Sequence, residues 1–155
     1  MPETERWTRK SWFSFSQTVE KLVQESGSKL ENPASSRFRM HVLQGAWDKV
    51  IGDLAELSRF VADRHHLLEM KFLIFEQKYL EFLERGQVVD ALQVLRTEIS
   101  PLNYKVEQVH ALSSYLMYNN TSELLQVAGW GGSTPDARHK LLDKLQVRFR
   151  ILCRD

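Results

Sequence analysis

The sequence predicts an all-α fold, a bundle of antiparallel helix pairs, from three observations. Apolar residues recur every three or four positions along most of the chain, the period of a helix with one covered face. Glycine or proline punctuates those runs, at Gly27, Pro33, Gly45, Gly86, Pro101, Gly129 and Pro135. No stretch alternates apolar with polar residues in the period of two that marks a half-buried strand, so no strand is expected.

A first helix is expected over residues 16–26. Phe15, Val19, Leu22 and Val23 share its face, and Gly27 supplies the left-handed conformation that closes it. Asn32-Pro33 breaks the chain, and Ser35 or Ser36 caps a short helix that ends at Gly45. Trp47, Val50, Ile51, Leu54 and Leu57 build the next stripe, so Gly45 reads as the tight turn between two antiparallel helices.

A long helix follows over about residues 66–85. Its Leu68, Phe72, Phe75, Tyr79 and Phe82 are spaced four, three, four, three, the heptad seam that holds a facing helix. Leu73 and Leu80 lie on a neighbouring face and Met70 and Ile74 on another. Such breadth means burial on several sides, at the centre of the domain or across a subunit boundary. Each large side chain taken from water contributes about 1.5–3 kcal/mol, so this helix is expected to anchor the fold.

Gly86 repeats the turn seen at Gly45, and Val88, Leu92, Leu95 and Ile99 repeat the apolar spacing over residues 87–99. Pro101 ends that helix, and another is expected over 104–117. Asn120, with Glu123 three residues on, caps a short segment to about Val127. Residues 129–132 are a loop. Thr134, Pro135 and Asp136 then start the last helix: a capping hydroxyl, a proline at the first position and an acid at the positive dipole end. It runs to about Leu152 with Leu142, Leu145, Phe149 and Leu152 on one face.

Composition bounds the function. A chain of 155 residues, 43% apolar and 26% charged, is the balance of one folded domain. Its formal charge of +1 gives no overall field for nucleic acid or acidic lipid. Arg138, Lys140, Lys144, Arg148, Arg150 and Arg154 make the last helix basic, which reads as a solvated face. The single Cys153 has no second thiol for a bridge or a zinc site. With no signal sequence or membrane span in the pattern, the cytoplasm, the nucleus or both are expected.

No catalytic constellation emerges. The glycines of the 129–132 loop are followed by no lysine at phosphate-loop spacing. His41, His65, His66, His110 and His139 have no partner at metal-ligand spacing, and Glu81 with Arg85 suits a solvated helix face at the four-residue interval. The basic and aromatic residues between Arg6 and Phe13 read as an exposed or structural arm rather than a stacking or membrane site. The chain is therefore expected to be no enzyme, with no cofactor, no metal, no small-molecule substrate, no nucleic acid and no membrane partner.

From Ser16 onward the residues resemble a known family. Ser16-Gln17-Thr18-Val19-Glu20 through Gly27 is similar to the second half of a LisH motif. Phe38 through Leu57, with Gly45-Ala46-Trp47-Asp48 at its turn, resembles the start of a CTLH domain. Gln77-Lys78-Tyr79-Leu80-Glu81-Phe82-Leu83, Ala91-Leu92-Gln93-Val94-Leu95-Arg96 and Pro101-Leu102 continue the likeness into a CRA region, and Lys140 through Gln146 extends it. The resemblance is to the LisH–CTLH–CRA family of GID/CTLH ubiquitin ligase subunits, and within it to the WD-repeat kind.

That resemblance implies a division into a divergent arm over 1–15, a partial LisH over 16–33, a CTLH–CRA helical domain over 34–146 and a divergent end over 147–155. It implies a non-catalytic scaffold that pairs with other CTLH complex subunits through apolar helix faces, homo-oligomerisation being one form of that pairing. Related WD-repeat corepressors dock short linear motifs, so a peptide-binding adaptor is the alternative. The chain lacks the cysteines and histidines of a RING. The first LisH helix is replaced by an unrelated segment, and no WD-repeat propeller follows residue 146, so a shortened form is expected. The expected interface residues are those of the apolar faces: Leu22, Trp47, Leu68, Phe72, Phe75, Tyr79, Phe82, Leu92, Leu95, Leu142 and Leu145.

Overall fold

Residues 33–60 and 63–152 are described, in a computed structural model; the expected arm, the helix over 16–26 and Leu22 lie outside them. Among the described residues the chain is helical throughout, with seven α-helices joined by short turns and no strand. Helix α1 spans Pro33–Gln44 and α2 spans Trp47–Leu57. The first helix starts at Pro33 itself, where a missing N–H costs no hydrogen bond, rather than at a serine cap two residues later. Gly45 takes a φ of 71°, and its N–H donates to the Val42 carbonyl at 3.1 Å, folding α2 back against α1.

Helix α3 spans Arg64–Glu84, 21 residues or about 32 Å. Asp63 caps it by accepting from the His65 N–H at 2.8 Å, an interaction that holds this exposed carboxyl below the usual carboxylate range. Gly86, with φ 74°, ends it while the Gln87 N–H donates to the Phe82 carbonyl at 2.9 Å. Helix α4, Val88–Val94, passes into a π-helical turn, Leu95–Ile99, and a 3-10 turn, Ser100–Leu102.

Two non-glycine residues in left-handed conformation, Asn103 (φ 48°) and Lys105 (φ 49°), then redirect the chain. They delay α5 to Val106–Ser114, so Tyr104 belongs to the connection and not to the helix. Helix α6, Thr121–Ala128, carries the expected cap, the Asn120 side chain accepting from the Ser122 N–H at 3.0 Å. Helix α7, Pro135–Leu152, starts with Thr134 Oγ1 accepting from the Ala137 N–H at 3.2 Å and runs unbroken past residue 146.

Helix α3 lies between two cores. Its Met70 and Ile74 pack with Phe38, Val42, Val50 and Leu54 of the first pair and with Leu142 and Leu145 of α7. Its Phe72, Phe75 and Tyr79 pack on the other side with Val94, Ile99, Leu112 and Leu124. Ile51 touches both groups. The breadth of the apolar pattern on this helix is thus burial at the centre of one chain.

Candidate interaction site

Three features position the chemistry: a polar knot inside the bundle, a cleft above it, and apolar residues left outside. The knot forms around Glu81, which α3 carries between its two apolar faces at 1% exposure. The Arg138 guanidinium donates to both carboxylate oxygens, Nε to Oε1 at 3.0 Å and Nη2 to Oε2 at 3.1 Å. Trp47 Nε1 donates to Oε2 at 3.0 Å and Gln77 Nε2 to Oε1 at 3.2 Å. Arg138 Nη1 also donates to the Leu43 carbonyl at the end of α1, 3.1 Å away. One buried charge therefore ties α1, α2, α3 and α7 together.

This corrects the sequence reading of Glu81 and Arg85 as a solvated pair. Arg85 reaches only 3.8 Å, while the four closer donors come from three different parts of the chain. Arg138 is likewise removed from the solvated basic face to which it was assigned; its side chain is 15% exposed. The signal was in its position. An arginine in the first turn opposes the helix dipole, which calls for a dedicated carboxylate partner. Trp130, read as loop, donates from Nε1 to Gln77 Oε1 at 2.9 Å and so closes the loop over the knot. The Ser133 N–H donates to Glu84 Oε2 at 2.9 Å and fastens the same loop.

The remaining buried charges are paired in the same way. Lys78 Nζ meets Glu98 at 3.0 Å and Asp48 at 3.2 Å, linking α3 to the π-helical turn and to the start of α2. His41 and Asp53 join α1 to α2. Tyr79 Oη donates to the Leu112 carbonyl at 2.6 Å, and burial pushes its phenol well above the usual range, with Tyr115 adding to the effect. Among the described residues no group of three or more His, Cys, Asp or Glu side chains could hold a metal ion, and no helix is long and apolar enough to cross a membrane.

Above the knot, a cleft of about 430 Å³ lies between α3, the loop after Gly129 and the first half of α7. Leu73, Leu80, Trp130 and Leu141 supply its apolar lining, and Lys140 and Lys144 stand along one wall. Glu76 lines it too. Burial raises its carboxyl above the ordinary glutamate range, partly countered by Lys144, by a hydrogen bond from Gln108 and by Lys105. The groups in the cleft suit recognition: amide, indole, carboxyl and ammonium, set in apolar walls.

Most of the apolar residues expected at an interface are covered from within. Trp47, Phe72, Phe75, Tyr79, Leu95, Leu142 and Leu145 are buried in the two cores, and Leu68 and Phe82 are half-buried. Leu92 is the described member of that set that is exposed, at 39%. Periodicity marks a covered face without saying what covers it, and here the chain covers its own. The large apolar residues left outside were not singled out as a group: Val88 and Val89 beside Leu92 on α4, and Met40, Val106, Met117, Tyr118, Val127 and Val147 elsewhere.

The chain is similar to known proteins along most of its length. The family model of a TPR1-like, CTLH-containing domain matches residues 34–151. The chain is 42% identical over 132 residues to the WD repeat-containing protein 26 homolog of Drosophila melanogaster, covering 84% of this chain and 21% of that protein. It is 32% identical over 133 residues to the homolog of the same name in Arabidopsis thaliana, 86% of this chain and 22% of that one. It is 26% identical over 141 residues to GID complex subunit 7 of Schizosaccharomyces pombe, 90% of this chain and 27% of that subunit. The chain thus spans between about a fifth and a quarter of the length of these relatives.

Proposed function

This chain belongs to the family of TPR1-like, CTLH-containing domains, and from that premise we propose that it is a non-catalytic scaffold module of a GID/CTLH-type ubiquitin ligase assembly. The observation that carries the reading is the contrast between inside and outside. Gln77, Lys78, Glu81 and Asp53 all find partners within the chain, as a rigid support requires. Val88, Val89 and Leu92 meanwhile stand in water on α4, as a contact surface requires. The relative named as a GID complex subunit supplies the assembly.

In this reading the buried seam holds the helices in place, and contact with a partner falls to Leu92 and the half-buried Leu68 and Phe82. The test is capture of the purified chain by purified subunits of a GID/CTLH complex, read by light scattering of the mixture. A complex heavier than either component is the expected result. A chain that associates with no subunit at any concentration ends the proposal. Charge placed at Leu92 is the informative variant, because that side chain is open and its loss spares the cores.

A second reading, a peptide-binding adaptor, draws on the cleft beside Trp130. Short peptides with apolar anchors would quench or shift Trp130 fluorescence on binding, an effect absent from the Trp130→Phe variant. A peptide library that leaves the emission unchanged disposes of it.

A further inference from the structure

The cleft beside Trp130 has two helical walls. Leu73, Glu76, Gln77 and Leu80 border it from α3, and Ala137, Lys140, Leu141 and Lys144 from α7. Each set is spaced three, one, three, so each is a single helical stripe two turns long, about 10 Å. The two helices run antiparallel here: Arg138 meets Glu81 at one end, while Leu142 and Leu145 pack with Ile74 and Met70 towards the other. Charge gathers on the α7 wall. Lys140 and Lys144 are exposed, stand one turn or about 6 Å apart, and form no ion pair among the described residues. Like charges at that spacing repel. Across the cleft burial acts against the charge of Glu76, and Asp136 lies a turn before Lys140 at the start of α7.

Such walls select the form of an occupant. An extended peptide needs backbone partners, and the two helices have spent theirs on their own hydrogen bonds. A helix brings its backbone already paired and needs only side-chain contacts. The volume of about 430 Å³ takes a few side chains and not a whole helix, so the helix rides on the rim and inserts its apolar stripe. Resting on the adaptor reading and naming its ligand, we propose that this cleft receives an acidic amphipathic helix of a partner protein. Its apolar stripe lies against Leu73, Leu141 and Trp130, and two carboxylates four residues apart meet Lys140 and Lys144. The ammonium groups of α7 thereby set both the charge of the partner and the register in which it lies.

The test uses the full chain and a dye-labelled, alanine-based peptide of about 18 residues, long enough to be helical alone, with leucine every three or four positions and glutamates four apart beside them. One control peptide carries lysine for glutamate, and another a central proline that breaks the helix. Binding is read by anisotropy of the dye and by a change in tryptophan emission that the Trp130→Phe variant lacks. The glutamate peptide binds, and the lysine peptide binds at least about tenfold more weakly. Lys140→Glu with Lys144→Glu reverses that preference, a gain that unfolding cannot mimic. Equal binding of both peptides, or a reversed chain that keeps the glutamate peptide, overturns the proposal. So does a Trp130 emission that shifts with protein concentration alone, which would put a second copy in the cleft, or one that shifts on Leu22→Glu, which would put the chain's own residues there. A proline peptide bound as tightly as the helix ends the helical ligand and leaves the adaptor reading. If no peptide of any kind alters the emission of Trp130, both fall.

Discussion

Four N–H donors replace the water that the Glu81 carboxylate gave up on entering the bundle. Removing the principal donor tests that balance. Arg138→Ala leaves a buried carboxylate with only neutral donors and the distant Arg85, and is expected to cost about 3 kcal/mol, read as a lower urea midpoint. Arg138→Lys returns the charge but not the two-pronged geometry, and so recovers only part of the loss. Glu76 gives a prediction of the opposite kind. Its burial raises the folded-state pKa, so the folded chain keeps a proton that the unfolded chain has released. The stability is full below the ordinary glutamate range and falls as pH rises through the folded value. Glu76→Gln removes that loss: its melting midpoint is expected to exceed the native one at neutral pH and to match it in acid. A midpoint lowered at neutral pH would show that the carboxylate, and not the acid, is the form the cleft favours.

At the level of elements, the two glycines that close α1 and α3 differ: Gly86 is needed for the backbone alone, Gly45 for the backbone and for space. Gly86 has φ 74° with nothing near the position of an added Cβ, so Gly86→Ala costs only the left-handed conformation, about 1–2 kcal/mol. Gly45 has φ 71°, and a Cβ there would overlap the Arg138 guanidinium. Gly45→Ala therefore pays the same backbone cost and also displaces the donor to Glu81. Its denaturation midpoint is expected to fall further than that of Gly86→Ala, and Arg138→Ala should remove most of the difference. The turns, the seam and the start of α7 were legible in the sequence because each is set by residues within a few positions of one another. Glu81 with Arg138 was not, since no periodicity connects residues 57 apart. The late start of α5 was hidden for another reason: Asn103 and Lys105 adopt left-handed conformations without glycine, and nothing local announces it. The π-helical turn was invisible because Leu92, Leu95 and Ile99 keep an ordinary helical spacing through it.

Across the whole molecule, α3 decides whether the chain is one cooperative unit or two half-domains. It supplies Met70 and Ile74 to one core and Phe72, Phe75 and Tyr79 to the other, and these residues alternate along a single helix. Neither core can lose its face of α3 without disturbing the other, and the Glu81 knot adds a second link through Arg138. Such coupling suits a scaffold, because a contact made at α4 bears on the same rigid helix that holds α1, α2 and α7. Two tryptophans can report on the two sides: Trp47 belongs to the first core and Trp130 packs against the second. With Trp7→Phe and Trp12→Phe in place, two further variants leave one reporter each. Leu112→Ala then opens a cavity wholly within the second core, at a cost of about 3 kcal/mol. If the chain unfolds as one unit, that truncation lowers the midpoint seen by Trp47 as much as the midpoint seen by Trp130, and the two transitions coincide before and after. A Trp47 transition left in place while the Trp130 transition moves would mean that α3 can serve either core alone.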